Sequence, residues 1–346
     1  MNHHQPLFSI IVPGRNIEKQ IGRCLASIRA QSCADYEVLM INDGSTDGTG
    51  AIVEKWKQKF ASRLIILHQQ NRGPGSARNE GIRRASGRYL IFIDGDDYVS
   101  PDLLERIRDV IHQKPYDVIA YNGSQAFSSG FIQPMHYCGD FSGEVDPGEE
   151  KSCINVYAGV WNKAVRKDFY DSNGFSFPEG VWYEDAGISR LWLMKARSVF
   201  FLQDRLYFYY QRAFSIMHSH INSHMSDVIA VCQDFRSEAK RLELYPQFRD
   251  EIDFSILVLV LLQVGGREIN GRNPFSPLQD KLGNYIRGLY GGIPENPYVT
   301  PQVRARMECF LDRDYIRYHF RYQTAPTIRR GVQTITERLS DKRSSE

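Results

Sequence analysis

From residue 7 to residue 121 the apolar positions alternate between runs and a helical spacing. Phe8-Ser-Ile-Ile-Val12 reads as a strand, stopped by Pro13-Gly14. Ile17, Ile21, Leu25 and Ile28 then share one face of a helix. Tyr36-Glu-Val-Leu-Met-Ile41 predicts a second strand, ending in Asn42-Asp43-Gly44-Ser45, and Ile52, Val53, Trp56 and Phe60 mark a second helix. Arg63-Leu-Ile-Ile-Leu67 predicts a third strand, and Pro74 suits the opening of a third helix, where its missing N–H costs nothing. Tyr89 to Ile93 is an unbroken apolar run, the mark of a strand buried on both faces. Ser100-Pro101 reads as the N-cap and first turn of a helix carrying Leu103, Leu104, Ile107, Val110 and Ile111 inward, and Asp117 to Tyr121 closes the series as a fifth strand. Strands alternating with helices imply an α/β fold with a mostly parallel central sheet flanked by helices.

The rhythm changes after Tyr121. Residues 122–150, rich in Gly, Ser and Asp, suggest a meander or a long loop. Trp161-Asn-Lys163-Ala-Val-Arg166 predicts a short strand, Glu184-Asp185 precedes a helical pattern through Ile188, Leu191, Trp192 and Ala196, and Val199–Leu202 and Leu206–Tyr210 predict two aromatic-rich strands. From Ser226 onward the pattern is mostly helical. This divides the chain into residues 1–225, with a first half 1–121 and a second half 122–225, and a helical C-terminal extension 226–346.

Composition narrows the class. Of 346 residues 42% are hydrophobic and 24% charged, an ordinary globular balance. A net charge of +2 gives no broad basic field, so nucleic acid is not an expected partner. The six cysteines form no C-x-x-C pair and read as free thiols of a reducing compartment. The residues before Leu7 are polar, the apolar run after it is broken by Pro13, and Ile256–Leu262 falls far short of the ~20 residues of a membrane span. The expected location is cytoplasmic, with peripheral contact at the inner face of the membrane as an added element. That contact rests on Ile328, Val332, Ile335 and Leu339, one apolar helical face among Arg329, Arg330, Arg338, Lys342 and Arg343. A helix packed on its own domain with a basic outer face is the competing reading.

The chemistry concentrates where the fourth strand ends, at Asp94-Gly95-Asp96-Asp97. Unpaired carboxylates at the end of a buried strand repel one another and are costly to desolvate. Mg²⁺ or Mn²⁺ would remove that penalty, and Gly95 allows close approach of backbone to ligand. A solvated turn is the alternative. Asp43 ends the second strand, where a carboxylate can accept from a nucleobase N–H or a ribose hydroxyl, or cap a helix. Gly73-Pro-Gly75-Ser-Ala-Arg78 follows the third strand, not the first, which speaks against a nicotinamide-cofactor fingerprint and leaves Arg78 as a fixed guanidinium near the ligand. His218, His220 and His224 are spaced as metal ligands can be; a solvated loop also explains them, and His218 is retained as a candidate.

In order along the chain, Ser9-Ile-Ile-Val-Pro13, Asn16, Ile41-Asn-Asp-Gly-Ser-Thr-Asp47-Gly-Thr49, Asn71-Arg-Gly73, Ser76-Ala-Arg78-Asn79-Glu-Gly81-Ile82, Ala85-Ser-Gly87, the Asp94–Asp97 run, Trp161-Asn-Lys163, Glu184-Asp185 and Arg212 with Ser215-Ile216 resemble the family 2 glycosyltransferases of GT-A fold, of the bacterial polysaccharide or lipopolysaccharide type. Two departures stand out: Gly14-Arg15 replaces an apolar residue and an aromatic, and Gly95 replaces a Ser or Ala. The resemblance implies an inverting transfer from a nucleotide-diphosphate sugar, most often UDP-linked, to a glycan or lipid-linked acceptor, with Mn²⁺ or Mg²⁺ as cofactor. It implies that Asp43 contacts the base with Pro13 and Asn16 lining its pocket, that Asp94 and Asp96 bind ribose and metal with Asp97 in support, that Lys163 and Arg212 belong to the donor site, and that Asp185 is the catalytic base with Glu184 beside it. The competing functions are an aspartyl phosphotransferase using Asp94 and a non-catalytic sugar-nucleotide binder.

Overall fold

The computed structural model describes residues 5–211, 223–266, 277–314 and 317–318. These fall into two compact units, one from residues up to 180 with 184–213, the other from 181–183 with the residues after 213. Packing thus assigns Val181–Tyr183 to the second unit, a placement the sequence division at 225/226 does not anticipate.

The first unit is built on one ten-stranded sheet. β1 (Phe8–Gly14), β2 (Tyr36–Asp43), β3 (Leu64–Gln69) and β4 (Tyr89–Phe92) are mutually parallel in the order β3-β2-β1-β4. The chain leaves β1 for β2 and β3 on one side and returns to β4 on the other. This reversal makes the carboxyl ends of β1 and β4 a topological switch point, where open α/β sheets bind ligands. Beyond β4 lie β9 (Lys163–Arg166), β6 (Val118–Phe127), β10 (Val199–Gln211) and β5 (Tyr98–Val99). β9 runs antiparallel to both neighbours, whereas β6 and β10 form the longest pairing and are parallel. β7 (Ile132–Met135) and β8 (Gly143–Val145) pair at the edges of β6 and β10, so residues 122–150 are a strand extension and meander.

Both sheet faces are covered. On one, Ile10, Val12, Met40, Ile91 and Tyr121 share a core with Ile21, Leu25 and Ile28 of α1 (Ile21–Arg29) and Leu103, Leu104 and Ile107 of α4 (Leu103–Gln113). α2 (Thr49–Phe60) adds Val53 and Phe60. On the other face lies α3 (Pro74–Arg84), with Pro74 in its first turn as expected. A Cβ on its Gly81 would stand 2.7 Å from Ile11 Cγ2 and 2.9 Å from Ile41 Cδ1, so glycine sets how closely α3 lies on the strands. There too α6 (Asp185–Lys195) lays Trp192 on Phe92, ring centroids 5.7 Å apart, while Phe177 meets Phe92 edge-on. α5 (Lys167–Ser172) follows β9.

Two sequence expectations change. Val199–Leu202 and Leu206–Tyr210 are one strand, β10, whose register against β6 shifts between Leu202 and Tyr207. The bulge interrupts the apolar alternation, and Asn122 holds it by donating to Gln203 O and Oε1 at 3.3 and 2.9 Å. Ser100 does not cap α4; Gln31 Oε1, at the end of α1, accepts from Leu104 N at 3.0 Å.

The second unit is helical: α7 (Asp227–Arg241), α8 (Arg249–Leu257) continuing into a π-helical stretch Val258–Val264, α9 (Pro277–Tyr290) and α10 (Pro301–Leu311). The apolar run Ile256–Leu262 lies in the α8–π segment and is almost wholly buried. Among the described residues no helix is long and apolar enough to cross a membrane.

Candidate active site

The acid turn extends β4 across the end of β1. Ile93 N donates to Ile11 O at 3.0 Å and Gly95 N to Pro13 O at 3.1 Å. A Cβ on Gly95 would lie 2.5 Å from Ile17 Cδ1, and one on Gly14 also 2.5 Å from that atom. Both departures from the family pattern therefore answer to one side chain: Ile17 fills the space that two Cβ atoms would need. The bare α-carbon of Gly95 serves that packing.

The three acids of the turn do not point together. Asp94 and Asp96 are half-buried, but Asp97 is wholly inside. Its Oδ2 accepts from Tyr207 Oη at 2.7 Å and its Oδ1 from Tyr210 N at 2.7 Å. Burial, then the charges of Asp96 and Asp94, hold the Asp97 carboxyl well above the usual carboxylate range. The Tyr207 hydroxyl also accepts from Asp94 N at 3.1 Å, so one phenol on β10 fastens both ends of the turn. Arg23 of α1 donates to Asp96 O at 2.8 Å, its guanidinium 3.8 Å from the Tyr210 ring centroid.

Asp43, at the end of β2, holds the 69–73 loop. Its Oδ1 accepts from Gln69 Nε2 at 2.7 Å and Arg72 N at 2.9 Å, and its Oδ2 from Gly73 N at 2.9 Å. Asn16, at φ 52°, joins the β1 end to the β2 end: its Oδ1 accepts from Thr46 N at 2.8 Å and its N donates to Ser45 Oγ at 3.1 Å. Pro13 is buried beneath them.

Arg78 links the turn to the other acid pair. Its guanidinium is buried, donates to Asp94 Oδ1 at 2.8 Å through one nitrogen, and pairs with Glu184 Oε1 through another. Burial alone would lower its pKa; the charges of Asp94, Glu184 and Asp185 outweigh this and raise it, so Arg78 is a permanent cation. The segment before Glu184 is stapled to α3. Asn79 donates to Phe177 O at 2.9 Å and accepts from Phe177 N at 3.0 Å, and a Cβ on Gly75 would collide with Pro178 O. Asp185 opens α6, where the helix dipole favours an acid. Burial, then the Glu184 charge, push it up to about 7 against the pull of Arg78, with Asp94 adding to the rise.

Lys163 sits wholly buried on β9, its Nζ donating to Tyr157 O at 2.8 Å, Gly159 O at 2.8 Å and Asn162 Oδ1 at 2.9 Å. Burial pulls this amine down to about 7. All three of these contacts lie within residues 157–162. Arg212 and His218 lie outside the described residues. Tyr207, Tyr210 and Arg23 escape sequence reasoning because a buried tyrosine or helix arginine carries no local signature; only their pairing across β10 and α1 reveals them.

Among the described residues no group of three or more His, Cys, Asp or Glu side chains is placed to hold a metal. The pair Asp94 and Asp96 suits Mg²⁺ or Mn²⁺, ions held through one or two carboxylates with phosphate oxygens completing the shell.

A mostly parallel sheet with acids at its switch point, linked through a buried arginine to a second acid pair, is the GT-A architecture that the resemblance implies. The profile described as Glycosyl transferase family 2 matches residues 9–169. An uncharacterized glycosyltransferase, EpsJ of Bacillus subtilis (strain 168), is 30% identical over 213 residues, 59% of this chain and 61% of EpsJ. The poly(ribitol-phosphate) beta-N-acetylglucosaminyltransferase TarS of Staphylococcus aureus (strain MW2) is 29% identical over 208 residues, 58% of this chain and 35% of TarS. The crystal structure of S. aureus TarS 1-349 with UDP-GlcNAc superposes with a TM-score of 0.68 at 24% identity, covering 91% of each chain. A mannosyltransferase of Pyrobaculum calidifontis, solved with GDP-Man and Mn²⁺, gives 0.51 at 15% identity over 93% of this chain and 89% of its own. Residues 9–169 thus carry a family 2 glycosyltransferase domain, and the curated relatives the chain resembles are bacterial glycosyltransferases, of which EpsJ is spanned over 61% of its length. These relatives favour glycosyl transfer over the phosphotransferase reading.

Proposed function

We propose that the protein moves a sugar from a nucleotide-diphosphate donor, UDP-linked, to a hydroxyl of a glycan or lipid-linked acceptor, with inversion at the anomeric carbon. The observation that carries this is the Asp94–Arg78–Glu184 bridge, which sets the acid turn beside Asp185. The TarS complex with UDP-GlcNAc supports the choice of donor, and TarS acts on a polymer acceptor.

Asp43, Asn16 and Pro13 form the base end of the donor pocket, Asp94 the ribose end. Asp94 and Asp96 would hold Mn²⁺ or Mg²⁺, which would supply positive charge to the leaving diphosphate. Asp185 takes the proton of the acceptor hydroxyl as that oxygen bonds to the anomeric carbon and the bond from that carbon to the diphosphate oxygen breaks. General-base catalysis of this kind is typically worth ~10²–10⁴-fold. Arg78 and Glu184 are positioning residues: the first holds Asp94, the second keeps the α6 entry against it. Peripheral contact of residues 328–343 with a membrane, where lipid-linked acceptors reside, completes the reading; those residues lie outside the described part.

The test is transfer from a panel of nucleotide sugars, followed by Asp185→Asn on the donor that works. The variant should lose transfer by at least ~10²-fold and keep UDP affinity. Wild-type turnover in it, or NMR of a product that keeps the donor's anomeric configuration, rejects the mechanism.

A further inference from the structure

The loop 156–160 is held more firmly than its connecting role requires. Lys163 Nζ donates to Tyr157 O and Gly159 O, Tyr157 N donates to Tyr137 O at 3.2 Å, and Ser189 of α6 donates to Ala158 O. Gly159 lacks the Cβ that would strike the Tyr157 ring and lie 3.0 Å from Trp161 Nε1. All these anchors fix Tyr157, which is partly exposed. Tyr157 is 39% exposed, although its ring rests on Tyr137 and Trp161, with centroids 4.6 and 5.2 Å away. The residue thus keeps part of its surface open while its hydroxyl end is buried.

Its place gives it a use. Asp185 and Ser189 are four residues apart on α6 and share a helix face, so the bond from Ser189 to Ala158 sets the Tyr157 loop beside Asp185. The Asp185 and Asp94 charges both reach the Tyr157 hydroxyl and help to raise its pKa, after burial and Tyr137. An aromatic ring next to a base that deprotonates a sugar hydroxyl can take the apolar face of that sugar and aim the hydroxyl at the base.

We propose that Tyr157 is the stacking platform for the acceptor's sugar ring, a hexopyranose whose reacting hydroxyl faces Asp185. This rests on the glycosyltransferase mechanism above. Burying roughly 50 Å² of apolar surface on such a ring corresponds to about tenfold in affinity. The full chain, loaded with UDP and Mg²⁺, is examined by saturation-transfer NMR with methyl β-D-glucopyranoside and methyl β-D-N-acetylglucosaminide. Saturation should concentrate on the axial ring protons of one face. Tyr157→Ala should lose that signal about tenfold, Tyr157→Phe should retain it, and UDP affinity should be equal in all three proteins. Absence of UDP binding in the wild type strikes the parent mechanism. With UDP bound, no saturation in the wild type, or equal saturation in Tyr157→Ala, overturns the platform. If Tyr157→Ala instead lowers affinity for UDP-GlcNAc relative to UDP, the ring serves the donor sugar and the acceptor assignment falls.

Discussion

A carboxylate that takes a proton from a hydroxyl must first be ionised, and Asp185 is ionised only above about pH 7, since burial and Glu184 raise it from the ordinary carboxylate range. Below that pH Asp185, as the proposed base, would be protonated and idle. The expected kcat/KM therefore climbs with pH, with unit slope, to a bend near 7, where an exposed aspartate would bend near ~4. A bend near 4 in a pH–rate profile taken at fixed ionic strength removes Asp185 as the base. Tyr207 permits a one-atom test. Tyr207→Phe keeps the ring stacked on Trp161, centroids 4.4 Å apart, but deprives buried Asp97 and Asp94 N of their shared partner. Unfolding stability should fall by ~1–3 kcal/mol, and Mg²⁺-dependent UDP binding should weaken beyond that of Tyr89→Phe, which deletes an equally buried hydroxyl, bonded to Tyr116 O, at the other end of β4. Equal UDP binding in the two variants would separate Tyr207 from the acid turn. The acids were legible because clustered charge after an apolar run is anomalous in a core. The contacts of Lys163 were not legible: that a buried amine meets three oxygens of its own loop depends on packing that no spacing encodes.

At the scale of elements, α3 is the piece that joins the two acid pairs. Arg78 reaches both, Asn79 staples Phe177, and Gly75 admits Pro178 O where a side chain would stand. Gly75→Ala must push the 178–184 segment away from α3 and with it Glu184, whose Cγ is 3.4 Å from the would-be Cβ. The expected cost is ~1–3 kcal/mol of stability, with transfer reduced more than UDP affinity, because the displaced segment leads into the base and not into the nucleotide pocket. A variant that binds UDP poorly and transfers normally once saturated would show the opposite dependence. The strand–helix alternation of residues 7–121 was readable because each element buries a regular face. The β10 bulge was not: two apolar patches separated by Gln203-Asp204-Arg205 look like two strands until Asn122 is seen bridging the irregularity.

For the whole molecule, the proposed lipid-linked acceptor would require a chain of net charge +2, with no described helix able to span a membrane, to reach a membrane surface. Charge distribution matters more than its sum. In the sequence, five basic residues, Arg329, Arg330, Arg338, Lys342 and Arg343, alternate with the apolar positions Ile328, Val332, Ile335 and Leu339. On an anionic surface each contributes ~1 kcal/mol, and the four aliphatic side chains add insertion. If this segment is a membrane contact, the full chain should float with liposomes containing phosphatidylglycerol and stay at the bottom with purely zwitterionic ones. Raising salt well above physiological strength should weaken flotation, since the Debye length then drops below about 8 Å. Replacing Arg329, Arg330 and Arg338 with Glu should abolish flotation while leaving UDP binding unchanged, because none of the three belongs to the described site. Flotation of the triple variant equal to that of the wild type would assign the basic face to solvent and return the aliphatic stripe to intramolecular packing.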